Sequence, residues 1–275
     1  MRFISLNAWG GQEWPALSDW IASQDFDILC LQEMIRAPVP SPDWLAYRDP
    51  YRKLDQRADL FGDVSRLLPQ YQARFAPAAR GTLSDHKGHA VASEHGIAFW
   101  VHPALAITEA AQHFIHGRFR PDGWGAEPVP RSFQIARVCD TQSGSSFSFA
   151  HLHGLRDPAG KDDTLARKSQ CAALIAAISG FCHKNEPLIL AGDFNLAPDS
   201  ATFTALNDIG LKDLVTTRGH KDTRTSLYTK VPKYADYLLV TRQIAVQAFD
   251  VPSQPEVSDH RMMVLDFAPT TGARK

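Results

Sequence analysis

The stretch LILAGDFNLAPDS, residues 188–200, decides the fold of this chain and marks its first candidate site. Its four leading apolar residues predict a buried strand, and a loop that contains a proline follows. Asp193 and Asn195, a carboxylate and an amide, stand where that strand ends. Because side chains two residues apart in an extended chain point the same way, these two groups would converge on one spot. The stretch therefore predicts a functional site at the edge of a sheet.

The composition is that of a globular protein with a substantial core. Of 275 residues, 44% are hydrophobic and 21% are charged, which is ordinary for a folded domain. We expect one domain over residues 1–268 and a short tail over 269–275, because large α/β folds often reach this length as one unit. The 29 basic and 30 acidic residues give a net charge of -1. No overall positive field would hold a long polyanion, although a local basic patch would suffice for one.

Targeting signals and cysteine frameworks are not evident in the sequence. The first residues, MRFISLNAW, already have a strand pattern and lack the apolar run and cleavage site of a signal peptide. No apolar run approaches the length of a membrane span. The four cysteines form no CxxC pair and no dense framework, so we expect them to be reduced core residues. These features predict a cytoplasmic protein without stable membrane insertion.

Short β-type runs alternate with a few helical patterns along the chain. Nine strands are predicted at residues 3–6, 28–31, 97–101, 133–138, 147–150, 188–191, 237–240, 244–249 and 262–267. Helices are predicted at 13–23 and 163–182, and a third follows the opening stretch, with Asp199 or Ser200 as its N-cap. Strands of this kind with helices beside them predict an α/β four-layer sandwich, in which two packed mixed β-sheets are flanked by helices.

Three segments rich in Pro, Gly, His and charge are predicted to be long surface loops. They cover residues 36–50, 78–96 and 116–131. Loops of this length inside a domain often shape a site, although disorder is the competing interpretation.

Polar groups recur where apolar strands end or begin. They are Asn7, Glu33, His151, His153, Asp193, Asn195, Asp236, Asp259 and His260. Each one alone is explained as a cap, a turn residue or a hydrogen-bonded structural side chain. The recurrence of one pattern in distant parts of the chain favours a shared site.

The motifs that carry these residues resemble the endonuclease/exonuclease/phosphatase superfamily. In chain order they read SLNAWG, LCLQEM, FAHLHG, LAGDFNLAPDS, YADYLLV and SDHRMMVLDF, and the resemblance spans residues 3–267. It implies a deoxyribonuclease-like fold with the site at one edge of the two sheets. It also implies a Mg²⁺ ion, or Mn²⁺ in its place, with Glu33 as the first ligand and Asn7 and Asp259 close by. Mg²⁺ prefers oxygen ligands and takes few protein carboxylates.

A hydrolytic mechanism assigns roles to the remaining residues. Asp193 would orient or deprotonate the attacking water, while Asn195 would donate to a phosphate oxygen or touch a second metal ion. His260 and His151 would supply hydrogen bonds to the phosphoryl oxygens or a proton to the leaving group. By the resemblance, Asp236 pairs with His260 and fixes its tautomer.

Further residues leave alternatives open. Arg131 matches a region in which some members of the superfamily place an arginine against phosphate, and an exposed loop arginine is the equal alternative. His153 is either an extra substrate-binding donor or only a neighbour. A cationic run precedes Asp236, and it either binds substrate phosphate or is a solvated loop. It consists of Lys221, Arg224, Lys230 and Lys233.

The sequence thus predicts a Mg²⁺-dependent phosphoesterase, with a phosphodiester favoured as in a nuclease. The alternatives are a phosphomonoesterase on a small metabolite or inositol phosphate, and a binding module without catalytic activity. The expected partner is a phosphorylated substrate, either nucleic acid or a small phosphoester. Retention of every expected polar group disfavours the binding module.

Overall fold

The computed structural model of the chain describes residues 1–49, 52–123, 129–157, 160–231 and 233–270. The strands are β1 (Arg2–Asn7), β2 (Ile28–Arg36), β3 (Trp44–Asp49), β4 (Arg52–Arg57), β5 (Gln72–Ser84), β6 (Ala90–Val101), β7 (Leu105–His116), β8 (Arg131–Asp140), β9 (Ser146–His153), β10 (Leu188–Asp193), β11 (Lys212–Asp213), β12 (Asp236–Val240), β13 (Ile244–Asp250) and β14 (Met263–Pro269). The helices are α1 (Trp14–Ser23), α2 (Leu60–Leu67), α3 (Leu165–Phe181), α4 (Ala201–Asp208) and α5 (Leu214–Thr217). The nine strands and three helices predicted from the sequence are confirmed, with shifts at their ends.

The strands form two mixed sheets that pack face to face. One sheet has the order β13-β14-β1-β2-β6-β5-β3-β4, and the other has the order β11-β12-β10-β9-β8-β7. Strands β1 and β2 run parallel in the first sheet, and β9 and β10 run parallel in the second. The ring of Phe149 on β9 lies 6.2 Å from that of Phe3 and 5.1 Å from that of Phe99 on the opposite sheet. Such ring contacts between the inner faces place the main core between the sheets.

Helices cover the outer face of each sheet. Leu17 of α1 and Leu60 of α2 share a buried cluster with Leu29 of β2, and burial of each leucine contributes on the order of 2 kcal/mol. Leu174 of α3 belongs to the larger core on the side of the six-stranded sheet. The four-layer α/β sandwich is confirmed. Among the described helices, none is both long and apolar enough to cross a lipid bilayer.

The prediction of long surface loops is wrong for most of residues 78–96. Residues 78–84 continue β5 and residues 90–96 begin β6, so these two strands form one long hairpin. Its outer part is largely exposed and therefore lacks the apolar periodicity that marks a strand in the sequence. β3 likewise lies within the predicted loop 36–50. Part of the third predicted loop, residues 124–128, lies outside the described residues.

The predicted tail also begins later than expected. Strand β14 continues to Pro269, and the backbone N–H of Thr270 donates to the carbonyl of Gln243 at 2.7 Å. Residues 269 and 270 are therefore tied to the sheet. The rest of the predicted tail, residues 271–275, lies outside the described part of the chain.

Candidate active site

One transverse row of the six-stranded sheet carries three of the predicted polar residues. Asp193 of β10 pairs with His153 of β9 on one side and with Asp236 of β12 on the other. Residues in register on neighbouring strands point to the same face of a sheet. All three side chains therefore face the interior between the sheets, at the edge where β9 and β10 end.

Gly192 permits the close strand approach that sets this row. Its φ of +137° is disfavoured for residues with a side chain. A Cβ built at this position would lie 2.1 Å from the carbonyl oxygen of Leu152 on β9. Any larger residue at position 192 would push the two strands apart next to Asp193.

Left-handed backbone conformations concentrate around the same edge. Four described residues other than glycine have a positive φ, and three of them are Trp9 at +50°, Glu33 at +55° and Asn195 at +54°. Glu33 lies where the pairing of β2 with β6 shifts its register, between Leu31 and Met34. Such an irregularity turns a side chain out of the strand pattern. Each conformation of this kind costs on the order of 1–3 kcal/mol and persists only where the surrounding structure fixes it, often at a functional site.

His260 is held from behind by a buried carboxylate. Its Nδ1 lies 2.9 Å from both oxygens of Asp236, and the histidine and the aspartate are 3% and 1% exposed. The hydrogen bond places the proton on Nδ1 and leaves Nε2 facing the site. That Nε2 lies 3.7 Å from Oδ2 of Asp193 and 3.6 Å from Oδ1 of Asp259.

His153 approaches the same aspartate from the other side. Its Nε2 lies 3.7 Å from Oδ2 of Asp193 and 3.9 Å from Oε1 of Glu33. Nη1 of Arg131 lies within 3.2 Å of the His153 ring. Glu33, His153, Asp193, His260 and Asp259 thus form a continuous series in which each polar head group lies within 4 Å of the next.

The charges within this series oppose one another. Burial lowers the pKa of His260, but Asp236 and then Asp259 outweigh this effect, so that the pKa of His260 is raised above its ordinary value. Burial and the adjacent Arg131 lower the pKa of His153 to about 4. Burial would raise the pKa of Asp193, yet the charge on His260 leads the opposing effects and holds that pKa well below its ordinary value. At neutral pH Asp193 is therefore ionised and His153 is neutral.

These groups line one cavity of about 430 Å³. The residues that line it include the predicted site residues Glu33, His153, Asp193, Asn195, Asp259 and His260. Cationic side chains of Arg131, Arg156, Lys161, Arg167 and Arg224 also line it. Apolar and aromatic residues, among them Trp9, Tyr47 and Leu54, line it as well.

Three predicted site residues do not line the cavity. Asp236 lies behind His260, as the resemblance implied. Asn7 is fully buried: its Nδ2 donates to Oδ2 of Asp193 at 3.1 Å, and its Oδ1 accepts from the backbone N–H of Trp9 at 3.0 Å. The amide of Asn7 therefore contacts Asp193 and the turn at Trp9, and its expected place beside the metal ion stays a prediction.

His151 is the third predicted site residue that does not line the cavity. Its position does not fit the expected contact with a phosphoryl oxygen. It is fully buried, and its Nε2 lies 2.8 Å from Oε1 of Gln134, while its Nδ1 lies 3.4 Å from Nε2 of Gln32. Both His151 and His153 face the interior of the sandwich, as their spacing predicts, but only His153 lies at the strand end. Burial lowers the pKa of His151 to about 3, so it is a neutral structural side chain at physiological pH.

Several cavity residues were not singled out as site residues from the sequence. Lys161 and Arg156 have no distinguishing pattern around them, and Trp9 lies in the motif SLNAWG without being marked as a site residue. The sequence marks Arg224 only as part of a cationic run, for which substrate binding and a solvated loop are equal alternatives. The members of this run differ in burial in the structure: Arg224 is 7% exposed, whereas Lys221 and Lys230 are exposed.

The donor set suits a hard divalent cation. Oδ1 of Asp259 is buried without a hydrogen-bond partner among the described residues, and the side chain of Glu33 remains 37% exposed beside it in the same cavity. Asp193, Asp236 and His260 also place one potential ligand atom each within 4.8 Å of one another, but Nδ1 of His260 is already hydrogen-bonded to Asp236. Carboxylate oxygens are the ligands that Mg²⁺ and Mn²⁺ prefer. The residues present therefore fit such an ion, with Glu33 and Asp259 as its accessible protein ligands.

The fold and this cluster define a class of protein that the sequence comparisons identify. The family model described as endonuclease/exonuclease/phosphatase family matches residues 4–260. The chain belongs to this family, whose members are hydrolases that act on phosphoester bonds. No curated protein matches the sequence closely enough to be reported as a relative.

Solved structures similar to this chain come from distant relatives. The endonuclease/exonuclease/phosphatase from Bacteroides vulgatus is 17% identical, with 98% of each chain covered and a TM-score of 0.69. A mannosyl-6-phosphatase from Bacteroides thetaiotaomicron is 18% identical, with 98% of this chain and 99% of that chain covered and a TM-score of 0.68. The catalytic domain of human nocturnin with a bound sulfate anion is 19% identical, with coverage of 98% and 94% and a TM-score of 0.62. Likeness at these identities establishes the fold.

Proposed function

We propose that this chain is a phosphoesterase that depends on a divalent metal ion, Mg²⁺ or Mn²⁺, and hydrolyses a phosphate ester, with a phosphodiester as the favoured substrate. The observation that supports this proposal is the pairing of His260 Nε2 with Asp193 Oδ2 at 3.7 Å, at the end of a cavity, with Asp236 bonded behind the histidine. An acceptor and a donor that face the same space, each fixed from behind, match the needs of water attack on phosphorus.

Asp193 would hold the attacking water. Its Oδ1 already accepts from the backbone N–H of Asn195 at 2.9 Å, and its Oδ2 accepts from Asn7 at 3.1 Å. These bonds fix the carboxylate plane. Because the pKa of Asp193 is held low, it is ionised but weakly basic, so it serves chiefly to orient the water.

His260 would donate from Nε2 to the phosphoryl group. Its raised pKa favours the protonated ring near neutral pH, and that ring carries a proton on both nitrogens. Asp236 keeps one of the two protons, so the other points at the cavity. This proton is available to a non-bridging oxygen or to the leaving oxygen as negative charge develops there.

Glu33 and Asp259 would hold the metal ion. A bound divalent ion would lower the pKa of the attacking water and stabilise the charge that accumulates on phosphate oxygens. Asn195, which lines the cavity beside Asp193, would donate to a phosphate oxygen.

A phosphomonoester is the second candidate substrate, and the cavity supports it. Five cationic side chains line a space of about 430 Å³, and a monoester carries more negative charge than a diester. The volume is of the order that drug-sized ligands occupy. The name of the mannosyl-6-phosphatase from Bacteroides thetaiotaomicron describes a phosphatase of this kind on the same fold.

The proposed function is tested with a chromogenic phosphodiester and a chromogenic phosphomonoester, each assayed with Mg²⁺ and with chelator. We expect turnover that chelator abolishes and that His260→Ala lowers at least about a hundredfold, the scale of a positioned acid. His183→Ala is the matched control, because His183 is exposed and lies before β10, at the opposite end from the site. Absence of turnover of both esters by the unmodified protein would exclude the proposal in its catalytic form.

Metal dependence is tested separately with Glu33→Gln. The variant should need a higher Mg²⁺ concentration for half-maximal activity, because an amide oxygen is a weaker ligand than a carboxylate. Glu13→Gln is its control, since the Glu13 side chain makes no capping bond at the start of α1. An unchanged Mg²⁺ titration would remove Glu33 from the ligand set.

A further inference from the structure

Arg224 is a buried cation at the site that the mechanism above does not use. The chain on either side of it is bonded to the segment that carries the catalytic histidine: the N–H of Thr225 donates to the carbonyl of Asp259 at 3.1 Å, and the N–H of Arg261 donates to that of Thr223 at 2.8 Å. Between these two hydrogen bonds, Arg224 and His260 pair as an isolated antiparallel β-bridge. The position of Arg224 is therefore fixed by the backbone next to His260.

The guanidinium is held on two sides. Nη1 of Arg224 donates to Oδ2 of Asp259 at 2.7 Å, and its carbon lies 4.3 Å from the ring centroid of Tyr228. The residue is 7% exposed and lines the cavity. Its Nε has no hydrogen-bond partner among the described residues. A buried charged group with an unused donor at the wall of a cavity needs a further acceptor, because an unsatisfied buried donor is costly.

The geometry points to a catalytic role: we propose that Arg224 is a permanent cation of the active centre, which contacts the substrate phosphate and takes the place of a second metal ion. This inference rests on the proposed function. Oδ2 of Asp259 is occupied by the guanidinium, so Asp259 keeps only Oδ1 for a metal ion. We expect Oδ1 of Asp259 and Glu33 to hold one divalent ion, because the other carboxylates that line the cavity, Asp193 and Asp157, already accept hydrogen bonds from neighbouring groups.

Guanidinium chemistry suits this role. Its planar fork of N–H groups matches two phosphate oxygens, and its charge does not depend on pH or on the supply of metal. Arg224 would bind the non-bridging oxygens from the Asp259 side of the cavity. The attacking water would lie next to Asp193. No bond to Arg224 is made or broken in the reaction.

Two opposite effects separate this role from a purely structural ion pair. Removal of the guanidinium should weaken phosphate binding, because charge-assisted hydrogen bonds are lost. The same change should strengthen metal binding, because it frees Oδ2 of Asp259 and removes a neighbouring positive charge. A structural role alone would weaken both or alter neither.

The test uses Arg224→Met and Arg224→Lys, with Arg218→Met as the control at an exposed position on the turn after α5. Calorimetric titration with Mn²⁺ gives the number of ions per chain, and titration of the Mn²⁺-loaded protein with inorganic phosphate gives its affinity. We expect about one ion per chain in the unmodified protein. Arg224→Met should bind phosphate roughly ten- to a hundredfold more weakly, as expected for loss of hydrogen bonds to a charged group, and should bind Mn²⁺ more tightly.

Arg224→Lys keeps a charge and shows whether the fork itself matters. We expect it to retain one ion per chain but to lose most of the phosphate affinity, and thermal unfolding of each variant reports whether it is folded. Two Mn²⁺ ions in the unmodified protein, or unchanged phosphate affinity in both variants, would overturn the proposal. If Arg224→Met does not fold, the ion count and Arg224→Lys still decide.

The two proposals fail differently. Ester turnover by the unmodified protein tests the proposed function, whereas the Mn²⁺ and phosphate titrations test Arg224 without turnover. An inactive protein that binds one ion, and whose Arg224 variants lose phosphate affinity, would retain Arg224 as a phosphate ligand and exclude its role in catalysis.

Discussion

Two histidines lie at the same distance from one oxygen and have opposite electrostatic surroundings. Nε2 of His260 and Nε2 of His153 are each 3.7 Å from Oδ2 of Asp193. A carboxylate, Asp236, lies behind the first ring, and a guanidinium, Arg131, lies beside the second. The pKa of His260 is raised above its ordinary value, while that of His153 falls to about 4.

The comparison shows that the charged neighbour of each ring decides whether the effect of burial on its pKa is opposed. Both histidines are buried, and burial alone would keep both neutral. Asp236 overcomes that effect at His260, so this ring can act as a proton donor. Arg131 adds to it at His153, so that ring remains a neutral hydrogen-bonding group. The cavity thus has an acidic side and a neutral side around one carboxylate.

The largest effect is expected from removing the negative charge of Asp193, which lies between His260 and His153. Asp193→Asn keeps the shape of the side chain but loses the negative charge that we propose orients the attacking water. We expect turnover to fall at least about a hundredfold without unfolding. Steady-state kinetics and thermal unfolding measure this, with Asp19→Asn on the exposed side of α1 as the control. Full activity in purified Asp193→Asn would remove Asp193 from the mechanism.

The second-largest effect is expected from Asp236→Asn, which makes the pKa of His260 more like that of His153. Asp236→Asn removes the carboxylate behind His260, so the pKa of His260 should fall because burial is no longer opposed. Activity that requires protonated His260 is lost as pH rises through its pKa, so the alkaline limb of the pH profile should move to lower pH. Turnover near neutral pH should decrease roughly ten- to a hundredfold, the scale for loss of an orienting partner. A pH profile that keeps its alkaline limb would show that His260 does not act as the acid.

The smallest effect is expected from Arg131→Met, which removes the positive charge beside the His153 ring. The pKa of His153 should rise only partly toward 6.5, because burial is the larger cause of its depression and remains. A histidine with a depressed folded pKa stabilises the fold above pH 6.5, and this contribution is lost as pH falls from 6.5 toward 4. The variant should therefore lose less of its free energy of unfolding on acidification from pH 7 to pH 5 than the unmodified protein does.

Urea unfolding at the two pH values measures this difference, and proton NMR of the His153 ring reports the pKa directly. Arg218→Met serves again as a control for removal of an exposed arginine. An unchanged NMR titration of His153 would mean that Arg131 does not contribute to its neutral state.

Much of the fold could be predicted because its central strands are buried on both faces and read as apolar runs. The strands around Phe3, Ile189 and Leu239 are of this kind, and all are confirmed. The outer hairpin of β5 and β6 was missed because solvent, rather than a core, meets much of its surface. The cytoplasmic location rests on the sequence alone and stays a prediction.

The sequence predicted which polar residues cluster together, but it did not predict which of them line the cavity. Strand spacing correctly puts His151 and His153 on one face, yet it cannot tell which of them reaches the cavity. That depends on where β9 ends relative to β10, a pairing between residues about forty positions apart. The burial of Arg224 likewise follows from backbone bonds to residues 259–261, which no local pattern encodes.

The pairing of β1 with β14 joins Arg2 to Asp266 and Ser5 to Met263. During synthesis on a ribosome, β14 must therefore emerge before the eight-stranded sheet can close around β1. Until then β1 exposes an unpaired edge, which is a hazard for association between chains. A premature stop before residue 259 would remove Asp259 and His260 as well as this closing strand, so misfolding and loss of the proposed chemistry would arise from one genetic event.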